Sequence, residues 1–269
     1  MLKQRIVTAL ILIPIAIGGV FFLPTQAFTV FIGAVLTIAA WEWANFAGFE
    51  GSNRYLYALF IALLMGASSF VSAELLLIPG VIWWLVAFVL VVNYPQMSNW
   101  WSSKAAISLM GVFCLVPGHV AMVTLKQTTD SSFLILLLFF LIWGADIGAY
   151  FSGKAFGSKK LAPKVSPGKS WEGFCGGLLF ATLIAVAMLM WLGRPDLQSI
   201  GGVIFLVGCV VIIMVSVLGD LVESMLKRNR GIKDSSGLLP GHGGVLDRLD
   251  SLLSAGPVFA LFIVVFGWS

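Results

Sequence analysis

The chain has 269 residues, of which 59% are hydrophobic and only 10% are charged, whereas about 25% of an ordinary soluble domain is charged. This composition excludes an intrinsically disordered protein, and an odd number of cysteines, each within an apolar run, excludes a disulfide scaffold. The net charge of +4 is too small to predict binding to a nucleic-acid backbone, so no nucleic-acid partner is expected. A polytopic membrane protein remains.

Apolar segments recur along the whole chain, each with about the 20 residues that cross a bilayer. They predict an all-α integral membrane protein with about nine transmembrane helices. The segments lie roughly at 6–23, 28–47, 55–72, 75–93, 105–125, 133–152, 174–192, 200–219 and 253–268.

The basic residues predict the orientation of these helices. If the N-terminus is cytoplasmic and each segment crosses once, every Lys and Arg except Lys126 and Arg194 lies in an inner segment. This distribution obeys the positive-inside rule. Two long polar loops, 153–173 and 220–252, would then face the cytoplasm, and the C-terminus would lie outside.

The acidic residues divide the chain into two parts. Eight of the twelve acids lie between Asp146 and Asp250, so we expect residues 1–130 to form a scaffold of membrane helices and residues 131–269 to carry the functional loops. Asp146 interrupts an apolar run. An ionisable residue in a membrane segment predicts a function unless it only pairs with a Lys on a neighbouring helix. Glu42, between two tryptophans near a predicted interface, is a weaker case of the same kind.

Two pairs of acids in the second loop predict a metal site. Asp220 and Glu223 are three residues apart, as are Asp247 and Asp250, and on a helix each pair would share a face. Carboxylate oxygens bind hard cations, and Mg²⁺ takes one or two carboxylates together with substrate phosphates. The small number of acids therefore suits Mg²⁺.

Basic and glycine-rich residues lie between these acid pairs. Lys227, Arg228 and Lys233 are suited to phosphate, and the run Gly241–Gly244 offers backbone amides to an anion. Inner loops are basic in any case, but the interleaved carboxylates favour a site for a metal–polyphosphate complex. His242 could contact phosphate or serve only in the turn, and a single His without a nearby Cys argues against zinc.

The first loop contains Gly168-Lys169-Ser170, which is similar to the end of a P-loop. Pro163 occupies the position of the first glycine, and no strand precedes it, so a P-loop is rejected. The remaining prediction is a turn that presents Lys169 at the start of a membrane helix, where the helix dipole and the Lys charge both favour an anion. The alternative is a plain turn with a snorkelling Lys.

The polar positions of the second loop form one long pattern. It reads Ser224-x-x-Lys227-Arg228, Lys233-Asp234 and Pro240-x-His242-Gly243-Gly244-x-x-Asp247-Arg248-x-Asp250. This pattern resembles the signature of the phosphatidate cytidylyltransferases, also called CDP-diacylglycerol synthases. The segments Trp143–Tyr150 and Ser166–Gly173 are similar to the same family, with Ser170 where Thr is common, as is the segment Ala40–Trp43.

The resemblance implies that CTP and phosphatidic acid react to give CDP-diacylglycerol and pyrophosphate. It further implies a dependence on Mg²⁺, with room for a second cation, and a homodimer in the bacterial cytoplasmic membrane whose active site faces the cytoplasm. The metal ligands expected from the resemblance and the acid pairs are Asp220, Asp247, Asp146 and Asp250.

The expected site comprises two further groups of residues. The catalytic group consists of Asp220, Asp247, Lys227 and Arg228. The substrate-binding group consists of Ser166, Lys169, Ser224, Lys233, His242, Gly243, Gly244 and Arg248.

Two other functions are compatible with an acid-containing membrane protein. A CDP-alcohol phosphatidyltransferase also uses paired Asp and Mg²⁺, but its acids lie in one compact repeat, whereas Asp220 and Asp247 are far apart in the sequence. A secondary transporter would place its acids near the middle of the membrane on broken helices from paired repeats, and this sequence shows no repeat.

Overall fold

The computed structural model describes residues 2–192 and 199–267. The chain folds as a bundle of α-helices with one small hairpin between two of them. The helices are α1 Leu2–Ile17, α2 Thr25–Phe46, α3 Ser52–Ala67, α4 Ala73–Val92, α5 Ser98–Trp101, α6 Lys104–Gln127, α7 Ser131–Phe156, α8 Trp171–Leu192, α9 Ile200–Arg230 and α10 Asp250–Phe266. A π-helical turn, Gly18–Phe22, extends α1, and two 3₁₀ turns lie at Ser68–Phe70 and Leu246–Arg248.

Six of the described helices are long and apolar enough to cross a membrane: α2, α4, α6, α7, α8 and α9. The protein is therefore an all-α integral membrane protein of the multi-pass type. The other three predicted crossings correspond to shorter helices, because α1, α3 and α10 have 16, 16 and 17 residues. The predicted outer positions of Arg194, Trp268 and Ser269 fall outside the described residues.

The two predicted loops are shorter than expected. Helix α9 continues through residues 220–230 and ends at Gly231, whose φ of +74° gives a left-handed cap. The prediction of a loop from residue 220 was wrong because hydropathy decreases there, whereas the residues that follow still favour a helix. The 153–173 loop also overlaps the last turn of α7 and the first turn of α8.

The first loop contains the strands found in the described residues. Strands β1 (Lys160–Ala162) and β2 (Ser166–Ser170) pair antiparallel and form a hairpin between α7 and α8. The Ser170 hydroxyl accepts a hydrogen bond from the backbone N–H of Gly173, which satisfies one of the free donors at the start of α8. The turn predicted at Lys169 is thus a hairpin strand that leads directly into a membrane helix. The expectation that no strand precedes Pro163 was wrong, because β1 ends at Ala162, but Pro163 still replaces the first glycine of a P-loop.

Packing brings the two ends of the chain together. Helix α6 is largely buried and packs against α2, α4 and α10, while α10 also packs along α9. The 3₁₀ turn Leu246–Arg248, just before α10, contacts α2. The second loop therefore lies between α2, from the N-terminal part, and α9, from the C-terminal part.

Candidate active site

Asp247 lies at the centre of the polar cluster, with its side chain only 6% exposed. Its Oδ1 accepts a hydrogen bond from Lys227 Nζ at 2.7 Å. Its Oδ2 accepts from the Ser235 amide and hydroxyl, both at 2.9 Å, and from the Gly244 amide at 2.8 Å. Burial raises the pKa of the Asp247 carboxyl, but the hydrogen bonds from Lys227 and Gly244 outweigh this effect and hold the pKa below its usual value.

Gly243 and Gly244 allow the loop to approach this carboxylate. Gly243 has a φ of +84°, and a Cβ there would lie 2.8 Å from Asp247 Oδ2. A Cβ at Gly244 would overlap the Ser235 hydroxyl and the carboxylate of Glu42. The glycine run expected to bind an anion thus gives one backbone amide, that of Gly244, to a carboxylate of the protein itself.

Lys227 links the loop to helix α9. Its ammonium contacts Asp247 Oδ1 at 2.7 Å and, one helical turn back, Glu223 Oε2 at 2.9 Å. The Glu223 side chain is only 3% exposed, and it also has a side-chain hydrogen bond with Asp250. One cation is thus shared between two buried carboxylates.

The hairpin contacts the same helix at two points. Lys169 Nζ lies 2.5 Å from Asp220 Oδ2, and the Ser224 hydroxyl donates to Asp220 Oδ1 at 3.2 Å. Farther along α9, Arg228 Nε donates to the carbonyl of Val165 at 3.3 Å. The structure therefore brings residues from the two predicted loops into direct contact.

A cavity of about 390 Å³ opens beside the ion pair between Lys169 and Asp220. Its lining includes Asp146 from α7, Lys169 from the hairpin and Gly173 from α8. Asp146 has electrostatic interactions with Lys169, Asp220 and Arg248. The intramembrane acid thus belongs to the same polar region as the loop residues.

The charges of this region leave an excess of carboxylates. Asp250 has electrostatic interactions with Asp220, Glu223 and Lys227, so five acids, with Asp146 and Asp247, lie near two lysines and Arg248. If all are ionised, the sum is −2. An excess of carboxylates is typical of a site for a divalent cation. Within the described residues, however, no three His, Cys, Asp or Glu side chains converge as a ready-made metal site, so such a cation would also need phosphate or water oxygens.

Four predicted substrate-binding residues lie at the edge of the cluster. Ser166 pairs with Ala162 across the hairpin, and Lys233 is exposed. His242 Nδ1 is buried and makes no hydrogen bond among the described residues. Arg248 donates to the carbonyl of His242 at 2.9 Å, which joins the two residues on the surface of the loop.

Two residues of the cluster were missed or underrated in the sequence. Glu42, on α2, is fully buried, and within residues 2–192 and 199–267 its carboxylate accepts hydrogen bonds only from the second loop. Ser235 is also fully buried; its amide donates to Asp247, and its hydroxyl lies within hydrogen-bond distance of both Asp247 and Glu42. The sequence did show Glu42 as an acid between two tryptophans within an apolar helix. No local sequence pattern, however, predicts its contact with residues about 200 positions later.

Comparison with known proteins agrees with this geometry. Residues 3–266 match the cytidylyltransferase family. A phosphatidate cytidylyltransferase from Pseudomonas aeruginosa is 50% identical, and the alignment covers 100% of this chain and 99% of the relative. Proteins of the same name from Haemophilus influenzae and Staphylococcus epidermidis are 40% and 34% identical, with coverage of 97% and 98% of this chain and of 98% and 99% of each relative. The chain belongs to the cytidylyltransferase family.

Proposed function

We propose that this protein transfers the cytidylyl group of CTP to phosphatidic acid, giving CDP-diacylglycerol and pyrophosphate. The observation that carries the proposal is the 50% identity, over the whole chain, to a protein named phosphatidate cytidylyltransferase. The polar cluster supports it, because lysines, arginines and surplus carboxylates meet at one end of a long membrane helix. An enzyme that joins a water-soluble nucleotide to a lipid needs its site at such a position.

In the proposed reaction, a phosphate oxygen of the lipid attacks the α-phosphorus of CTP. The new P–O bond forms as the bond between the α-phosphorus and the α–β bridging oxygen breaks, and pyrophosphate leaves with that oxygen. No general base is required, because a phosphate monoester has a second pKa of about 6 and is ionised at neutral pH. Catalysis then consists mainly of positioning and charge neutralisation.

The basic residues would supply that neutralisation. Lys227 and Arg228, on the last turns of α9, would bind nucleotide phosphates, with Lys233 and Arg248 from the loop. Lys169, beside the cavity of about 390 Å³, would bind the phosphate of the lipid. Its ion pair with Asp220 would open as either substrate enters, so we assign Lys169 to the junction between the two substrates.

We further propose that Asp220 and Asp247 are the principal metal ligands, with Asp146 and Asp250 nearby. Bound Mg²⁺ would supply charge stabilisation to the triphosphate and the leaving pyrophosphate. The excess of carboxylates supports this assignment, and Lys227 would release Asp247 Oδ1 to the metal. A second cation would use the same five acids.

The remaining substrate-binding assignments are Ser166, Ser224, His242, Gly243 and Gly244. Ser224, which donates to Asp220, would orient that ligand. His242 has a buried nitrogen without a partner among the described residues, which could accept a hydrogen bond from nucleotide. The two glycines would keep the loop close to Asp247, and Ser166 would border the lipid site.

We place the protein in the bacterial cytoplasmic membrane as a homodimer, with about nine crossings and the active site towards the cytoplasm. The positive-inside distribution of Lys and Arg supports this orientation. Residues 1–130 would serve mainly as scaffold and residues 131–269 would carry the substrates. The location suits the substrates, because the acyl chains remain in lipid while the phosphate reaches CTP.

The decisive experiment incubates purified protein with CTP labelled in the cytosine ring, phosphatidic acid and Mg²⁺. We expect a labelled lipid and an equal amount of pyrophosphate, both absent when phosphatidic acid is replaced by diacylglycerol. A CDP-alcohol phosphatidyltransferase would instead release CMP from CDP-diacylglycerol and an alcohol. A transporter would form neither product, and either result would contradict the proposal.

A further inference from the structure

Glu42 is a buried acid in an apolar helix. It lies on α2 between Trp41 and Trp43 and has no exposed surface. Among the described ion pairs none includes Glu42. A buried carboxylate is costly unless hydrogen bonds replace its water, so its partners indicate why the acid is there.

Among the described residues, the hydrogen-bond donors to Glu42 all belong to the second loop. Oε1 accepts from the Ser236 hydroxyl and from the Val245 amide at 3.0 Å. Oε2 accepts from the Ser235 hydroxyl at 3.2 Å and from the Leu246 amide at 2.6 Å. These four groups lie near the four lone-pair positions of the carboxylate, and the Ser235 hydroxyl is shared with Asp247. Glu42 thus binds the loop at two places, just after Lys233-Asp234 and just before Asp247.

The same contacts continue to Asp247. The Ser235 hydroxyl lies 3.2 Å from Glu42 Oε2 and 2.9 Å from Asp247 Oδ2, so one hydroxyl bridges the two acids. The Gly244 amide, adjacent to the Val245 amide on Glu42, donates to Asp247 at 2.8 Å. Movement of the loop away from Glu42 would therefore remove donors from Asp247 as well.

We propose that Glu42 is a positioning residue for cytidylyl transfer, which fixes the segment 235–246 and through it the carboxylate of Asp247. The inference rests on the proposed function. Glu42 does not touch the substrates. The two carboxylate oxygens of Glu42 accept hydrogen bonds from the segment 235–246. Without Glu42, the backbone N–H groups of that segment would be buried without partners.

Glutamine cannot replace Glu42, although it has the same size. Each carboxylate oxygen receives one backbone N–H, from Val245 or from Leu246. In either orientation of a Gln side chain, its NH₂ group would face one of these N–H groups, and two donors would meet. Glu42→Gln therefore breaks one side of the contact without creating a cavity.

The test compares Glu42→Gln with Glu50→Gln, which removes an acid that lies after the end of α2 with an 87% exposed side chain. We expect Glu42→Gln to lower kcat/KM for CTP roughly 10–100-fold, as for the loss of charged, buried hydrogen bonds. Hydrogen exchange at the amides of residues 244–246 should accelerate, while exchange in α7 and α8 stays unchanged. Glu50→Gln should remain within twofold of wild type in both measurements.

Different failures of this test have different meanings. Wild-type protein without cytidylyl transfer would overturn the proposed function and this inference with it. Active wild-type protein with Glu42→Gln within twofold would overturn the inference alone, as would a loss of activity with unchanged exchange at 244–246. If the Glu42→Gln variant does not fold, the Ser235→Ala variant is tested in its place. It should lower kcat/KM at least threefold and accelerate the same exchange, and wild-type behaviour would refute the inference.

Discussion

The ammonium group of Lys227 lies 2.7 Å from Asp247 Oδ1, and this ion pair joins helix α9 to the loop that precedes α10. Both side chains are mostly buried, at 15% and 6% exposure. The Asp247 charge is therefore compensated mainly by Lys227, whereas the Lys227 charge is shared between Asp247 and Glu223. A substitution at either position leaves a buried charge behind, which couples the chemistry of the site to the stability of the fold.

Asp247→Asn should both inactivate and destabilise the protein. An Asn that keeps its oxygen towards Ser235 and Gly244 turns its NH₂ group towards the Lys227 ammonium. We expect turnover to decrease by more than about 100-fold and stability to decrease by about 3 kcal/mol, as for breaking a buried ion pair. Product formation and thermal unfolding in detergent measure the two effects, and unchanged turnover would contradict the assignment of Asp247.

Asp220→Asn should separate activity from stability. The Asp220 side chain is 31% exposed, and its partners are Lys169 and Ser224, so the loss of one partly exposed pair should cost less than about 1 kcal/mol. We nevertheless expect a decrease in turnover similar to that of Asp247→Asn, because the proposed metal loses a ligand. Near-normal activity of the purified variant would refute the metal assignment.

Lys169→Met should weaken the use of phosphatidic acid. The change removes the charge beside the cavity but keeps an unbranched side chain, and kcat/KM for the lipid should decrease roughly 10–100-fold. Lys160→Met is the matched control, because Lys160 is an exposed residue on the neighbouring strand of the same hairpin. Equal activities for the two variants would show that the hairpin acts only through its overall charge.

Cysteine labelling tests the proposed orientation. In a Cys175→Ala background, which removes the exposed native thiol, single cysteines are introduced by Lys164→Cys, Gly237→Cys and Thr129→Cys. A membrane-impermeant maleimide applied to intact cells should modify only the Thr129→Cys variant. The other two should react only after the membrane is opened. The reverse pattern would invert the topology and place the site outside.

Removal of divalent ions tests the proposed cofactor. Chelation should abolish lipid product formation, and added Mg²⁺ should restore it, because the site has more carboxylates than basic groups to bind a triphosphate. Asp220→Asn should need a higher Mg²⁺ concentration for half of its residual activity than wild type. Full activity in the presence of excess chelator would exclude the metal mechanism.

The sequence predicted the membrane fold well because bilayer crossing depends on local hydropathy, which is readable residue by residue. It also placed Asp220, Lys227 and Asp247 in one functional group, and the structure joins them through α9 and the loop. It misplaced the start of the second loop. The apolar run that marks a membrane helix ends at residue 219, but α9 continues as a polar helix to Arg230. The predicted number and orientation of the crossings stay predictions.

The contribution of Glu42 was not predictable from local pattern. Its donors lie 193 to 204 residues later in the chain, and no spacing rule reaches that far. The role of Ser235 was not predictable either, because a Ser between charged and glycine-rich residues is typical of an ordinary turn. Both became visible only through the packing of α2 against the turn at Leu246–Arg248.

The separation of Glu42 from its donors has a consequence for biosynthesis. At a synthesis rate of 5–20 residues per second, roughly 10–40 s pass between translation of this acid and of Leu246, whose amide it binds across 204 residues. During that interval α2 must carry its carboxyl protonated, hydrated or in temporary contact with other groups. The first helices therefore insert into the membrane before the hydrogen-bond donors to Glu42 have been synthesised. Synthesis of the C-terminal quarter of the chain then completes the contacts of Glu42 and the proposed catalytic centre at the same time.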